Sequence, residues 1–150
     1  MRLSDLLDEH VIKVGLEGED KGEVFAEMIE LLVRAGRITD RQRALQAILA
    51  REAKATTGIG NGVALPHNKD ASVRQLAAAV GISHTGIDFE AADDQPVYVV
   101  FLVLAEANNP GPHVQCLGEI ARLLQVPGLN DRLRRCTTPQ EVIAAIRHEE

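Results

Sequence analysis

The residues best suited to chemistry lie in a short segment that passes from glycine-rich sequence into a histidine. Three glycines fall within residues 56–62, and Val63-Ala64-Leu65 then leads into Pro66 and His67. Pro66 restricts the residue before it to extended backbone. The sequence therefore predicts that His67 is presented at the end of a short strand, beside a loop that offers backbone N–H donors.

This glycine-rich segment matches neither common nucleotide-binding template. A dinucleotide fingerprint requires G-x-G-x-x-G, but Val63 stands at its last position, and the chain has no Gly-Lys-Ser/Thr to complete a P-loop. Asn61-Gly62 is a strong signal for a tight hairpin turn. Two interpretations stay open: a structural hairpin, and a phosphate cradle made of the N–H groups of the loop.

Two further residues are candidates to act with His67. His113 follows Pro112 in the first turn of a predicted helix, where the N–H groups and the dipole favour anions and disfavour an imidazolium. A neutral His113 could donate one N–H to an oxyanion, and the simpler alternative is a surface residue. Arg51 ends the second predicted helix, where it either complements the dipole or clamps a phosphoryl group bidentately.

The other histidines and the cysteines lack a comparable context. We expect His10, His84 and His148 to be exposed, and a zinc site formed by His67, His84 and His113 has no diagnostic spacing. Such a site would make the protein a metal-dependent hydrolase. Two cysteines, Cys116 and Cys136, without a C-x-x-C motif predict two reduced thiols in the core.

Alternating helices and strands must position these residues. Capping boxes that begin at Asp20, Thr39 and Thr138 predict the starts of three helices, the second of which should end at Arg51 or Glu52, and Pro112 is expected to open another. Strands are predicted over residues 11–14, 63–65, 75–82 and 97–104, and a short helix over residues 130–135. The run 97–104 is apolar without alternation, which indicates a central strand buried on both faces of an α/β sandwich.

Composition excludes several classes of function. The net charge is −6 and aromatic residues make up 3% of the chain, which disfavours binding of nucleic acid. No apolar run approaches the length of a membrane span, and the N-terminus has no stretch typical of a secretory signal. We therefore expect a single cytoplasmic domain with neither nucleic-acid binding nor membrane insertion.

Several separated motifs together resemble the enzyme IIA proteins of the bacterial phosphotransferase system, of the fructose/mannitol type. The motifs are Arg51-Glu52, the segment from Thr57 to His67, Gly86-Ile87-Asp88-Phe89, Gln95-Pro96-Val97, His113 with the apolar positions that follow it, and Thr138-Pro139-Gln140-Glu141. They span nearly the whole chain. The resemblance implies one type 2 IIA domain over residues 1–150, with a mixed β-sheet sandwiched between helices on both faces.

The resemblance also implies a phosphocarrier that uses neither a metal nor a cofactor. A small HPr-like protein would donate a phosphoryl group to His67 as tele-phosphohistidine, with His113 and Arg51 assisting and the loop residues Thr57, Gly58, Gly60 and Asn61 binding phosphate. Asn68 stands where the family usually has glycine. Because Asn tolerates left-handed backbone better than most residues, we expect the turn after His67 to persist.

Two physiological roles are compatible with this resemblance. A nitrogen-related regulatory IIA protein controls target proteins according to its phosphorylation state, whereas a sugar-transport IIA protein relays phosphate to a IIB domain and a permease. The absence of a fused permease, together with the N-terminal segment and the last helix, favours the regulator.

Overall fold

Six strands form one mixed β-sheet in the computed structural model, which describes residues 1–150. The strands are β1 (Ile12–Val14), β2 (Gly58–Gly60), β3 (Val63–Ala64), β4 (His67–Asp70), β5 (Ala77–Ile87) and β6 (Val97–Glu106). The helices are α1 (Lys21–Arg34), α2 (Arg41–Lys54), α3 (Pro110–Leu124), α4 (Leu129–Arg135) and α5 (Pro139–His148). Two 3₁₀ turns, Leu3–Leu6 and Glu9–Val11, precede β1.

Strand β6 organises the sheet. It pairs antiparallel with β5 on one side and parallel with β3 and β4 on the other, while β1 extends the sheet parallel to β5. Within this register Val63 lies opposite Val99 and His67 lies opposite Val103. The register therefore fixes where along β6 the histidine emerges.

Helices cover both faces of the sheet and bury β6. Helices α1 and α2 pack on each other and on β5 and β4, whereas α3, α4 and α5 form a second layer against β6, β5 and β1. Of the predicted central run 97–104, only Tyr98 is not buried. These findings confirm the predicted α/β fold, with its mixed sheet between two helical layers and its central strand.

Side-chain caps begin the helices close to the predicted positions. Asp20 accepts from the backbone N–H of Glu23, and Thr138 accepts from that of Glu141, as predicted. Helix α2 is capped by Asp40 rather than Thr39, and it continues to Lys54. Helix α3 begins at Pro110, two residues before Pro112, because a proline in the first helical turn gives up no intrahelical hydrogen bond.

Three strands differ from the sequence-based expectation. Residues 58–60 are strand β2 rather than loop, β5 continues past an irregularity to Ile87, and β4 was not predicted. The turn signal was correct: Asn61 and Gly62 have φ of 57° and 76°, as a tight hairpin between β2 and β3 requires.

The core closes around aromatic and aliphatic side chains from both layers. Phe25 and Phe89 meet edge to face with their ring centroids 5.6 Å apart. Cys116 and Cys136 are free and buried, as predicted, and burial raises the pKa of the Cys116 thiol to about 12.

No helix combines the length and apolar character needed to cross a bilayer.

Candidate active site

His67 is the first residue of β4, and the chain that leads to it is held on two sides. The N–H of Leu65 donates to the carbonyl oxygen of Thr57 (2.9 Å), and the carbonyl oxygen of Pro66 accepts from the N–H of Val103 (3.0 Å). Pro66 itself keeps Leu65 extended. The half-buried imidazole is therefore presented from a backbone with little freedom.

One hydrogen bond sets the tautomer of His67. Nδ1 lies 2.6 Å from the carbonyl oxygen of Leu65. Because a carbonyl can only accept, Nδ1 carries the ring proton, and the lone pair of the neutral imidazole is on Nε2. Nε2 is therefore the ring nitrogen whose lone pair is free.

His113 reaches the same place from helix α3. The centroids of the two imidazole rings are 5.8 Å apart, and their planes are inclined by 59°. His113 is only 7% exposed, and its buried Nε2 has no hydrogen-bond partner. A buried ring nitrogen without a partner is costly unless a bound group satisfies it. An oxygen of a group bound between the two rings could supply the partner that Nε2 of His113 lacks.

Electrostatics keep His113 neutral. Burial is the main cause that lowers its pKa, and repulsion from a protonated His67 ring and from Lys69 lowers it further. A neutral imidazole can still donate one N–H to an anion, as the position of His113 near a helix N-terminus predicted. The buried position contradicts the alternative in which His113 is a surface residue.

Lys69 is a member of this cluster that sequence reasoning did not single out. It lies two residues after His67 in β4, so both side chains leave the same face of the strand. The alternation was visible only once residues 67–70 were known to be a strand, since their polar composition gives no strand signal. Lys69 adds an exposed cation to a site suited to an anion.

Asn68 connects helix α2 to the site, whereas Arg51 bonds at the end of its own helix. The guanidinium of Arg51 donates to the carbonyl of Ala55 (3.0 Å), which is the helix-end contact of the simpler interpretation, and the phosphoryl clamp stays a prediction. Asn68 donates from Nδ2 to the carbonyl of Ala47 (2.8 Å). Its backbone is extended in β4, so the turn that we expected to persist after His67 is not formed, and that expectation was wrong.

The glycine-rich segment supports the site rather than lining it. Three of the predicted cradle residues already use their N–H groups: Thr57 donates to Glu52, Gly58 to Thr56, and Asn61 to Asp93. Gly60 and Asn61 belong to the hairpin tip, and the next residue, Gly62, accepts from the N–H of Val99 of β6, whereas His67 lies opposite Val103. Four strand residues correspond to about 13 Å.

Phosphate binding by Thr57, Gly58, Gly60 and Asn61 therefore stays a prediction that this arrangement does not favour. The structural alternative, a hairpin, describes the segment as it is. Thr57 has another role, since it is 2% exposed and bound to the buried carboxylate of Glu52. A sequence signal for Glu52 existed, because it continues the buried stripe of Ala44 and Ile48 at helical spacing.

The remaining histidines lie elsewhere. Nε2 of His84 is 3.3 Å from the carbonyl of Cys136, and the side chains of His10 and His148 are 70% and 72% exposed. No three His, Cys, Asp or Glu side chains come together in a group that could hold a metal ion. The proposed zinc set of His67, His84 and His113 is thus not assembled.

Comparison with known proteins identifies the family. Residues 5–149 match the family described as "Phosphoenolpyruvate-dependent sugar phosphotransferase system, EIIA 2". The chain belongs to this family, whose members are phosphotransferases that relay phosphoryl groups.

Relatives of the chain carry two kinds of name. It is 37% identical over 146 residues to the fructose-specific EIIABC component of Bacillus subtilis, which covers 97% of this chain and 23% of that protein. It is 32% identical over 148 residues to the nitrogen regulatory protein of Bradyrhizobium diazoefficiens, which covers 97% of this chain and 95% of that protein. The chain thus spans less than a quarter of the first relative.

Solved structures share the fold. The nitrogen regulatory protein IIA-Ntr of Neisseria meningitidis superposes with a TM-score of 0.88 at 28% identity, covering 96% of this chain and 98% of that one. The mannitol IIA protein of Escherichia coli gives a TM-score of 0.81 at 24% identity, covering 93% of this chain and 98% of that one. Both likenesses extend over the two helical layers and the sheet.

Proposed function

We propose that the protein is a histidine phosphocarrier in which Nε2 of His67 accepts the phosphoryl group and becomes tele-phosphohistidine. The observation that carries this proposal is the 2.6 Å hydrogen bond from Nδ1 to the carbonyl of Leu65, which leaves the lone pair on Nε2. The unpartnered Nε2 of His113 supports it, because that nitrogen can donate to a phosphoryl oxygen.

The transfer follows from this geometry. The Nε2 lone pair attacks phosphorus in line with the bond to the donor, and as the N–P bond forms, the donor leaves with the electron pair of the broken bond. Positive charge that develops on the His67 ring is stabilised by the carbonyl of Leu65, which accepts the Nδ1–H. His113, and Arg51 once it turns away from Ala55, donate to the equatorial oxygens. The scheme uses no metal or cofactor.

The donor in this proposal is an HPr-like phosphocarrier that acts in the cytoplasm. A net charge of −6 suits a donor with a basic docking face, because complementary charge speeds short-lived encounters. The phosphohistidine that forms is labile, so the same nitrogen can pass the group on. The family match over residues 5–149 supports a single IIA domain across residues 1–150.

For the physiological role, the regulator is our first candidate. The TM-score of 0.88 with the nitrogen regulatory IIA protein of Neisseria meningitidis favours control of target proteins by phosphorylation state. The higher sequence identity to fructose-specific proteins, 37% and 38%, supports sugar transport through a IIB domain and a permease as the second candidate.

Labelling with a phosphoenolpyruvate-driven donor relay tests the acceptor. We expect one acid-labile, alkali-stable phosphate on the wild-type protein and on the His84→Ala variant, which loses a histidine outside the site. His67→Ala should take up none. Persistent labelling of a folded His67→Ala protein would contradict the assignment of His67 as the acceptor.

Onward transfer separates the two roles. The labelled protein is mixed with a purified fructose-type IIB domain, and the phosphate on each protein is followed with time. Retention of the phosphate on this protein supports the regulator, whereas rapid, complete transfer to the IIB domain contradicts it and supports transport.

A further inference from the structure

We propose that Glu52 is a positioning residue for phosphoryl transfer. Its carboxylate acts through Thr57 and Leu65 to fix the ring tautomer that leaves Nε2 of His67 as the nucleophile. This inference rests on the proposed function of His67 and assigns a task to a charged residue buried beneath the site.

The first link joins Glu52 to Thr57. Glu52 is 7% exposed, and its carboxylate accepts both the N–H of Thr57 (3.1 Å) and its hydroxyl (2.5 Å). A buried carboxylate is tolerated only when its oxygens are paired. The bonds that stabilise the charge therefore also fix the backbone of Thr57.

The second link joins Thr57 to the imidazole. The carbonyl of Thr57 accepts from the N–H of Leu65 (2.9 Å), and the carbonyl of Leu65 accepts from Nδ1 of His67 (2.6 Å). On the other side, Pro66 is bound only through its carbonyl, by Val103 of β6. The Leu65 carbonyl is thus flanked by two attachments, the N–H of Leu65 bound to Thr57 and the carbonyl of Pro66 bound to β6, and release of Thr57 frees the first of them.

Lys21 explains why the residue is Glu rather than Gln. Nζ of Lys21, the first residue of α1, lies 3.2 Å from Oε2 of Glu52, the oxygen that also accepts from the N–H of Thr57. Every group that faces the carboxylate is a donor. The amide of a Gln would turn its own N–H₂ toward Lys21 or Thr57, and one donor would face another. The Glu52→Gln variant keeps the shape but loosens Thr57.

A looser Leu65 carbonyl changes the chemistry of His67. Without a fixed acceptor at Nδ1, the neutral ring exchanges between its two tautomers, and the form protonated at Nε2 has no lone pair there for phosphorus. The expected defect is therefore in transfer itself rather than in docking of the donor.

Ring ¹⁵N chemical shifts of the full-length protein test this step without any phosphoryl transfer. In the wild type the neutral His67 ring should show a protonated Nδ1 and an unprotonated Nε2, whereas in Glu52→Gln the two shifts should move toward each other. The rate of phosphorylation should fall in proportion to the competent tautomer, by ~10-fold where that form drops to about a tenth of the neutral ring, at an unchanged KM for the donor.

The matched control is Glu27→Gln. Glu27 also accepts backbone N–H groups, from Glu17 and Gly18, and pairs with a lysine, Lys13, but it has no link to His67. Its variant should keep the wild-type tautomer and rate. A folded Glu52→Gln protein with the same tautomer and rate as Glu27→Gln overturns the proposal.

Two substitutions at Thr57 decide the matter where Glu52→Gln does not fold. Thr57→Ser keeps the hydroxyl and should retain the wild-type shifts, while Thr57→Val removes it and should mix the tautomers. Wild-type shifts in Thr57→Val would overturn the proposal. Failure of these tests leaves labelling of His67 intact, so it is distinguishable from failure of the proposed function.

Discussion

Two histidines of the same site are given different properties by their surroundings. His67 is half-buried and has its Nδ1 bound to a backbone carbonyl, so it offers a free Nε2. His113 is buried with an unpartnered Nε2 and a lowered pKa. The first is suited to attack phosphorus, and the second to donate to an oxygen while staying neutral.

Removal of His113 tests its share of the transfer. We expect His113→Ala to slow phosphorylation on the order of 100-fold, the effect of losing one preorganised donor at a developing charge. Some acceptance should persist, because Nε2 of His67 is untouched. Measured single-turnover rates that equal the wild type would contradict this role.

The lowered pKa of His113 also predicts a pH dependence of stability. In the unfolded chain its pKa is about 6.5, and in the folded protein burial, His67 and Lys69 hold it lower. Below pH 6.5 the unfolded state therefore binds a proton at His113, whereas the folded state does not. Because of this difference, the free energy of unfolding falls as the pH drops toward the folded pKa of His113.

Denaturant unfolding across this range measures the effect. His113→Gln should flatten the fall in the free energy of unfolding between neutral pH and the folded pKa of His113, whereas the exposed control His10→Gln should not change it. Equal pH profiles for wild type and His113→Gln would contradict the burial argument.

At the scale of elements, strand β4 fixes the direction of the side chains that it contributes to the candidate site. It holds His67 opposite Val103, and Asn68 attaches the strand to helix α2 through the carbonyl of Ala47. The turn residues and prolines before the strand could be read from the sequence. The strand itself could not, because residues 67–70 are polar and their pairing with β6 is a long-range contact.

Replacement of Asn68 by the glycine typical of the family tests this attachment. Asn68→Gly loses the bond to Ala47 and adds backbone entropy to the unfolded chain, and it should lower the free energy of unfolding by about 1–2 kcal/mol. Lys69→Gly adds the same backbone entropy to the unfolded chain without losing that bond, so its free energy of unfolding should fall by less. Equal losses in denaturant unfolding would show that the side-chain bond contributes nothing.

At the scale of the whole molecule, the sequence predicted the architecture better than the chemistry of its loops. The apolar run of β6 and the capping residues were enough to predict the helices, the central strand and the sandwich. The role of residues 56–62 was not predictable in the same way, because glycine content does not reveal which N–H groups already have partners. Glu52 and Asp93 take two of them.

Charge and composition act at the same scale. The acidic charge and the low aromatic content led us to expect no nucleic-acid partner. The same composition suits the brief encounter with a basic donor that we propose, since tight interfaces are often anchored by Trp and Tyr. Composition did not identify the function. His67, with a tautomer fixed by Leu65, carries that argument.

The most direct test of the account is to find which ring nitrogen carries the phosphate. The protein is labelled with ¹⁵N-histidine and phosphorylated through the donor relay, and coupling between phosphorus and nitrogen is measured by NMR. We predict coupling to Nε2 of His67 alone. Coupling to Nδ1 of His67, or to a nitrogen of any other histidine, would contradict the account.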